Sequence, residues 1–170
     1  MRLSALSSLA WLALILAGCS SYTLGPTNGD AAGEKSVQVI PFANQTVEPY
    51  LTDAVTTEIR KRLQQDGTYR LDTQNNGDII LTGVITGYHR TGFTPQPGNV
   101  YAIQDVQVIM TAQVTARSRT SGKVIVQSTV SSQVPVQVGN DLVSAERQML
   151  PILSQKLAQN VVALLADGGW

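Results

Sequence analysis

One thiol and one imidazole are the whole supply of soft ligands and mid-range bases in this chain: Cys19 and His89 each stand alone. A metal centre or an acid–base pair built around His89 would have to do without a second histidine. No Gly-x-Ser-x-Gly nucleophile elbow occurs. Ser121-Gly122-Lys123 looks like the end of a phosphate loop, but the upstream glycine is missing and Val124 follows where Ser or Thr is needed. Asp78 and Asp105 are spaced as strand-start residues, and nothing in the pattern pairs them. The residue types therefore argue against an enzyme and call for no cofactor and no metal.

Cys19 is different, because its surroundings prescribe a reaction. An apolar run from Leu3 to Ala17 follows a single basic residue, Arg2, and ends in Leu16-Ala17-Gly18-Cys19. A short apolar core with small residues before a cleavage point describes a secretory signal. At 15 residues the run is shorter than the ~20 that a spanning helix needs. The side chain after the small residues is a thiol, the one group at that place able to carry a thioether-linked diacylglycerol. Leu-Ala-Gly-Cys resembles the lipobox of bacterial lipoproteins, so residues 1–18 read as a leader and Cys19 as a lipidated N-terminus. Several acyl chains, at about 0.8 kcal/mol per buried methylene, anchor a domain stably. Ser20 resembles the residue that sorts such proteins to the outer membrane, where an aspartate marks retention on the inner one.

Removing residues 1–18 from the 170 leaves 152, one domain's worth. A domain of that size buries roughly 70% of its unfolded surface and needs no staple. The chain has 12 Lys+Arg and 12 Asp+Glu, so loss of Arg2 gives a net charge of −1. That balance, with no strongly basic run, points to no nucleic-acid partner. Lipidation of Cys19 leaves no thiol for a disulfide or a thiolate metal site. Residues 19–35 hold several Gly, one Pro and little that packs, and read as a tether.

The elements of 36–170 follow from periodicity. Ser36–Phe42 alternates as a strand, with Val37 and Val39 on one face, Ile40 and Phe42 on the other, and a strand end or edge at Pro41. Asn44-Gln45-Thr46 makes a turn, and Glu48-Pro49 leads into a helix over Tyr50–Gln65, where Leu51, Val55, Ile59 and Leu63 recur every fourth residue. Asp66-Gly67 ends it. A short strand at Tyr69–Thr73 then implies a parallel pair with the first. Asp78–Arg90 is a longer strand with Ile79, Leu81 and Ile85 on one face and Ile80, Val84 and Tyr88 on the other. Gly83 and Gly87 mark bulges or close packing. Thr91–Val100, rich in Gly and Pro, reads as a loop, and its Phe93 and nearby Tyr101 make it a candidate contact segment.

Gln104–Ser118 is the cleanest half-buried strand: Val106, Val108, Met110, Ala112, Val114 and Ala116 face one way, and Gln107, Ile109, Thr111, Gln113, Thr115 and Arg117 the other. A turn at 119–122 leads to a second hairpin arm, Lys123–Val136. Gly139-Asn140-Asp141 caps a last helix with a stripe at Ala145, Met149, Leu153, Leu157, Val161 and Leu165, which Pro151 should kink or split. Strand, helix, strand, three-stranded meander and helix give an α+β two-layer sandwich: a mixed four- to five-stranded sheet with both helices packed on one face. The other face, rich in Thr, Gln and Ser, stays uncovered.

This ordered set resembles the LptE family of outer-membrane lipopolysaccharide-assembly lipoproteins. The resemblance runs through Tyr22-Thr23-Leu24, Val37-x-Val39, Phe42-x-Asn44-x-Thr46-x-Glu48-Pro49, Asp66-Gly67-x-Tyr69-Arg70-Leu71, Asp78-x-x-Leu81-x-Gly83-x-Ile85-x-x-Tyr88, and Ala145-Glu146-Arg147 through Leu157-Ala158 to Trp170. It implies a non-enzymatic protein seated in the lumen of the LptD β-barrel, binding lipopolysaccharide during its insertion into the outer leaflet. The partners it implies are an LptD-type barrel, lipopolysaccharide and, through the lipid, the outer membrane. The uncovered residues Gln107, Ile109, Thr111, Gln113 and Thr115 are then the expected barrel contacts. Arg117, Arg119 and Lys123, at one hairpin end, are candidate lipopolysaccharide ligands, since phosphates are met by charge-assisted bonds; Arg90 is a fourth, at the opposite pole. The alternative is a pilot lipoprotein for another envelope machine, such as a secretin.

Cys19→Ala should leave the leader uncleaved and abolish incorporation of labelled palmitate, because no second cysteine can substitute. A mature protein that still takes the label would contradict the lipobox reading.

Overall fold

A strand that alternates for its whole length has one dry face, and something apolar must cover it. The computed structural model describes residues 32–96, 98–137 and 142–167. Its elements are β1 (Ser36–Val39), β2 (Ala43–Asn44), α1 (Leu51–Asp66), β3 (Arg70–Asp72), β4 (Ile79–Gln96), β5 (Asn99–Ser118), β6 (Val124–Gln137) and α2 (Leu142–Asp167). The sheet runs β3-β1-β4-β5-β6, with β2 paired to β4 beyond the end of β1. β1 is parallel to both β3 and β4, and β4, β5 and β6 form an antiparallel meander. The two helices pack against each other on one face, α1 over β1 and β3 and α2 over β5 and β6. This is the expected two-layer sandwich, with six strands because the first one is interrupted.

The interruption is Pro41, which is exposed and separates β1 from β2. It also changes which way the next residue points. Phe42 was expected opposite Val37 and Val39, but all three share the core with Leu51, Ile59 and Leu81. The phenyl ring lies against Gly83, where any Cβ would run into it. Phe42 N–H, turned out of the ladder, donates to Thr56 Oγ1 at 3.1 Å.

A second change of parity occurs in β4. Ile85 pairs with Ala112, yet the next pair is Gly87 with Thr111, so Thr86 is an extra residue. Such a bulge reverses the faces of everything beyond it. Tyr88 was expected with Ile80 and Val84; instead it stands across from buried Met110, and Arg90 across from buried Val108. The expected loop at 91–100 is likewise extended: β4 reaches Gln96 and β5 begins at Asn99, so the two strands meet in a long hairpin. Proline and glycine there mark register shifts within a ladder and do not end it.

α2 is continuous through Pro151. Pro151 and Arg147, whose carbonyl loses its partner, are both on the exposed side of the helix, so water takes that bond while Leu153, Leu157 and Val161 keep packing. Tyr69 Oη donates to Leu165 O at 3.0 Å and Ser132 Oγ to Leu153 O at 3.0 Å, pinning the helix to both sides of the sheet. The stretch Val143–Asp167 is long and apolar enough to cross a membrane, but here its stripe is the sheet's cover. Residues 1–31, including Cys19, the cap at 139–141, Trp170 and the side chains of Phe93 and Tyr101 lie outside the described residues.

β1 is buried on both faces. The connection from β3 to β4 crosses it on the side away from the helices, with Gly77 laid on the backbone of Val37 and Gln38. Ser36 N–H and Oγ donate to Asp78 Oδ2 at 2.8 and 2.6 Å, holding that carboxyl below its ordinary pKa. Gln38 donates to Asn75 Oδ1 at 2.8 Å and accepts from Arg119, so the polar side of β1 is satisfied within the fold.

A Cβ at Gly77 would sit 2.6 Å from Gln38 N, which is backbone and has no rotamer to yield. Gly77→Ala and Gly83→Ala should therefore each lower the unfolding free energy by about 1–3 kcal/mol, as overpacking does. Urea denaturation of the soluble domain checks this; unchanged midpoints would mean that neither close approach exists.

Candidate functional site

The uncovered sheet face is a ladder of three strands, and the pairings fix its rows. Thr82, Thr115 and Gln127 stand abreast, then Val84, Gln113 and Thr129, then Gly87, Thr111 and Ser131, then His89, Ile109 and Gln133, then Thr91, Gln107 and Pro135. The opposite side of β5, from Val106 to Ala116, is the buried floor under the helices. All five residues expected on the open side, Gln107, Ile109, Thr111, Gln113 and Thr115, lie there together, exposed or half-buried. No Asp, Glu, Lys or Arg occurs in these five rows. A face in free contact with water ordinarily carries charge. The row through Gly87 is the lowest part of the surface, since it offers only two small hydroxyl side chains beside bare backbone.

The ladder's outer edge is closed from the helix layer. Asn160 Nδ2 donates to Ser131 O at 2.8 Å and Lys156 Nζ to Gln133 O at 3.3 Å. These bonds occupy carbonyls that β6 would otherwise present to another strand. These bonds block the middle of the β6 edge at Ser131 and Gln133, while the open face carries no such cover.

The four candidate cations separate. Arg117 is exposed in line with the open face, beyond its last row, and Lys123 is exposed in the β5–β6 turn. Arg119 is committed to the fold: its Nε donates to Gly77 O at 2.6 Å and its Nη2 to Gln38 Oε1. Arg90 lies at the opposite pole, as expected from the antiparallel β4–β5 pairing. The bulge has put its side chain on the helix side, where Nη2 donates to Glu146 Oε2 at 2.7 Å and Nε to Glu146 Oε1. Glu146 holds this guanidinium above its ordinary range. The pair forms the floor of a cleft of about 600 Å³ that Pro49, Tyr50, Tyr88, Val143 and Leu150 also line. Burial, then the nearby Glu146 and Glu48 carboxylates, push the Tyr88 phenol up to about 12. Among the described residues no group of three or more His, Cys, Asp or Glu side chains comes together to hold a metal ion.

The Arg90–Glu146 clamp was not legible in the sequence, because strict alternation puts Tyr88 and Arg90 on the wrong face. Gly87 was the available signal: a bulge there, combined with a polar residue one turn into the last helix, would have paired the two.

Comparison with known proteins places these features in a family context. Residues 34–165 match a family model described as LptE, lipopolysaccharide-assembly. No curated protein sequence matches the chain. Among solved structures, a hypothetical protein from Chlamydia trachomatis superposes with a TM-score of 0.58 at 12% identity, covering 81% of this chain and 98% of that one. A minor lipoprotein from Acinetobacter baumannii gives 0.53 at 16% identity, covering 78% and 92%. A lipoprotein from Caulobacter crescentus gives 0.51 at 8%, covering 74% and 88%. At these identities the superpositions show a shared fold.

Arg90→Ala would leave Glu146, whose side chain is 8% exposed, without its cation. Because the Arg90 side chain is itself 42% exposed, the expected loss is about 1–3 kcal/mol, below that of a fully buried pair. Adding Glu146→Leu should restore most of it in a double-mutant cycle. The raised Tyr88 value favours the neutral phenol in the folded chain, so its contribution is complete below pH 10 and is lost as pH rises through about 12. Tyr88→Phe should flatten the fall in stability over that window, measured by urea denaturation at fixed pH.

Proposed function

Because this chain belongs to the LptE lipopolysaccharide-assembly family, matched over residues 34–165, we propose that it is the lipoprotein subunit of an outer-membrane lipopolysaccharide translocon. In this reading Cys19 carries the lipid, and the domain sits in the lumen of an LptD-type β-barrel and contacts lipopolysaccharide there. The role is one of binding and support, without catalysis.

The observation that carries this reading is the uncharged polar face. Large outer-membrane barrels have a polar lumen that without a plug is an aqueous channel. Packing against such a wall requires hydrogen-bonding side chains, so an aliphatic patch would be a poor match. It also requires few charges, which are depleted from the cores of protein interfaces. The Thr, Gln and Ser rows on β4, β5 and β6 meet both conditions. The closed edge of β6 adds to this, because a domain lodged in a sheet-walled lumen must not join that sheet. Exposed Arg117 and Lys123, at the end where β1 begins, are the cations left for lipopolysaccharide phosphates.

Thr111→Glu tests the face directly. Its neighbours in the row are Gly87 and Ser131, so the longer side chain has room and the isolated domain should melt within a degree or two of the parent. Docked against a wall, the same carboxylate would be buried without a partner, at a penalty of several kcal/mol. After mild detergent extraction the parent should co-purify with an LptD-type barrel and the variant should not. Recovery of a secretin ring, or undiminished recovery of the barrel by the variant, would overturn the reading.

A further inference from the structure

The segment Phe42-x-Asn44-x-Thr46-x-Glu48-Pro49 stands out in the sequence, and neither the core nor the open face accounts for most of it. In the structure its polar members all serve one end, the shape of the loop between β2 and α1. Asn44 Oδ1 accepts from Thr46 N–H at 2.9 Å and from Thr46 Oγ1 at 2.8 Å. Asn44 Nδ2 donates to Glu48 O at 2.7 Å, and Glu48 N–H donates to Thr46 Oγ1 at 3.2 Å. Gln45 N–H donates to Ile85 O at 3.0 Å, tying the loop to β4, while Phe42 roots its near end in the core.

At the apex of this lattice is Val47, fully exposed. Three residues on, Tyr50 is 79% exposed and adopts φ 65°, a left-handed backbone that tyrosine rarely takes. It occupies the N-cap position of α1 with no side-chain cap bond, where Ser, Thr, Asp or Asn would stabilise the helix. The loop is thus held rigid by several side-chain bonds, strained at Tyr50, and crowned with two largely exposed side chains, Val47 and Tyr50, that the core does not use. Loops that only connect are polar and loose. A loop fixed in advance and tipped with apolar side chains lowers the ordering cost of docking.

A bilayer is a poor occupant for it, because fluid lipid accepts any arrangement of apolar groups and has no use for a rigid one. Gly33, near the start of the described residues, donates its N–H to Thr68 O beside the C-terminus of α1. Tyr50 is at the other end of that 16-residue helix, roughly 24 Å away at 1.5 Å per residue. The loop is therefore at the end of α1 away from Gly33. The loop touches the rim of the open face only at Ala43, which pairs with Val84; Asn44 pairs with buried Ile85, so the loop rises on the helix side, where a barrel enclosing the domain would still meet it.

We infer that the β2–α1 loop is a second, preorganised anchor for the barrel partner, with Val47 and Tyr50 inserted into an apolar socket on that protein. The inference rests on the barrel reading given above and adds to it a contact that the polar face does not supply.

The test is photo-crosslinking in outer membranes, with p-benzoylphenylalanine placed singly at Val47, Thr111 and Gln65 of the lipidated chain. Adducts to the barrel from Val47 and Thr111, with Gln65 silent, are the expected result. Adducts from Thr111 alone, or lipid adducts from Val47, would overturn the inference and leave the barrel reading standing. Silence at both Val47 and Thr111 would remove the barrel reading and the inference with it. Val47→Asp gives an independent measure. It should leave the melting temperature unchanged and lower barrel recovery about tenfold or more, as loss of an interface anchor does. Recovery equal to the parent's would count against the anchor.

Discussion

The pairing of β5 with its two neighbours is the constraint from which the rest follows. Paired residues in an antiparallel ladder share a face, so the alternation of Val106 to Ala116 assigns a side to every residue of β4 and β6. The dry side then recruits both helices, whose apolar stripes have nowhere else to go. The polar side of β4, β5 and β6 is left bare as a direct consequence, because both helices lie on the other face and the described residues hold no third layer. Slipping β5 by one residue would put six valine, methionine and alanine side chains into water and Gln107, Thr111 and Gln113 under the helices.

Function depends on where that alternation is broken. The extra residue at Thr86 turns Tyr88 and Arg90 toward the helices, and the Arg90–Glu146 clamp then holds the first turns of α2 against β4. Without the bulge Arg90 would stand on the open face, and the uncharged rows would carry a cation in their midst. Pro41 does the corresponding work at the other end, turning Phe42 inward and leaving β2 free to run beside β4 and support the Asn44–Thr46 loop. The bulge keeps charge off the polar face and Pro41 keeps bulk off it, one within β4 and the other on the strands beside it.

Much of this was legible in the residues themselves. Each long strand and both helices follow from period alone, and the two-layer arrangement follows from counting apolar stripes. The five β5 residues proposed for contact share one face because nothing disturbs the alternation between 106 and 116. What the residues concealed were the changes of parity. Gly87 marks a bulge or close packing without saying which, so strict alternation puts Tyr88 on the face of Ile80 and Val84, and Arg90 with it. The close approach of Gly77 is not visible in the residues, because only the order β3-β1-β4 shows that its loop must pass over β1. Of the kink or split expected at Pro151, the split does not occur, because the missing bond lies on the exposed side of the helix, which periodicity alone does not reveal. Arg119 looked like a free cation because its acceptor, Gly77 O, belongs to that same crossing loop.

The central claim is that the face left bare by the helices is covered in the membrane by a partner and not by water. Gln113 is exposed at the middle of that face, and with Cys19 lipidated the mature chain has no other thiol. The most direct measurement is the maleimide reaction rate of Gln113→Cys in the isolated domain and in intact outer membranes, with a cysteine at exposed Gln65 as the reference. The account predicts rapid labelling in the isolated domain and strong protection in membranes at position 113, with position 65 labelled less slowly in membranes than 113. Equal labelling of position 113 in the two settings would contradict it.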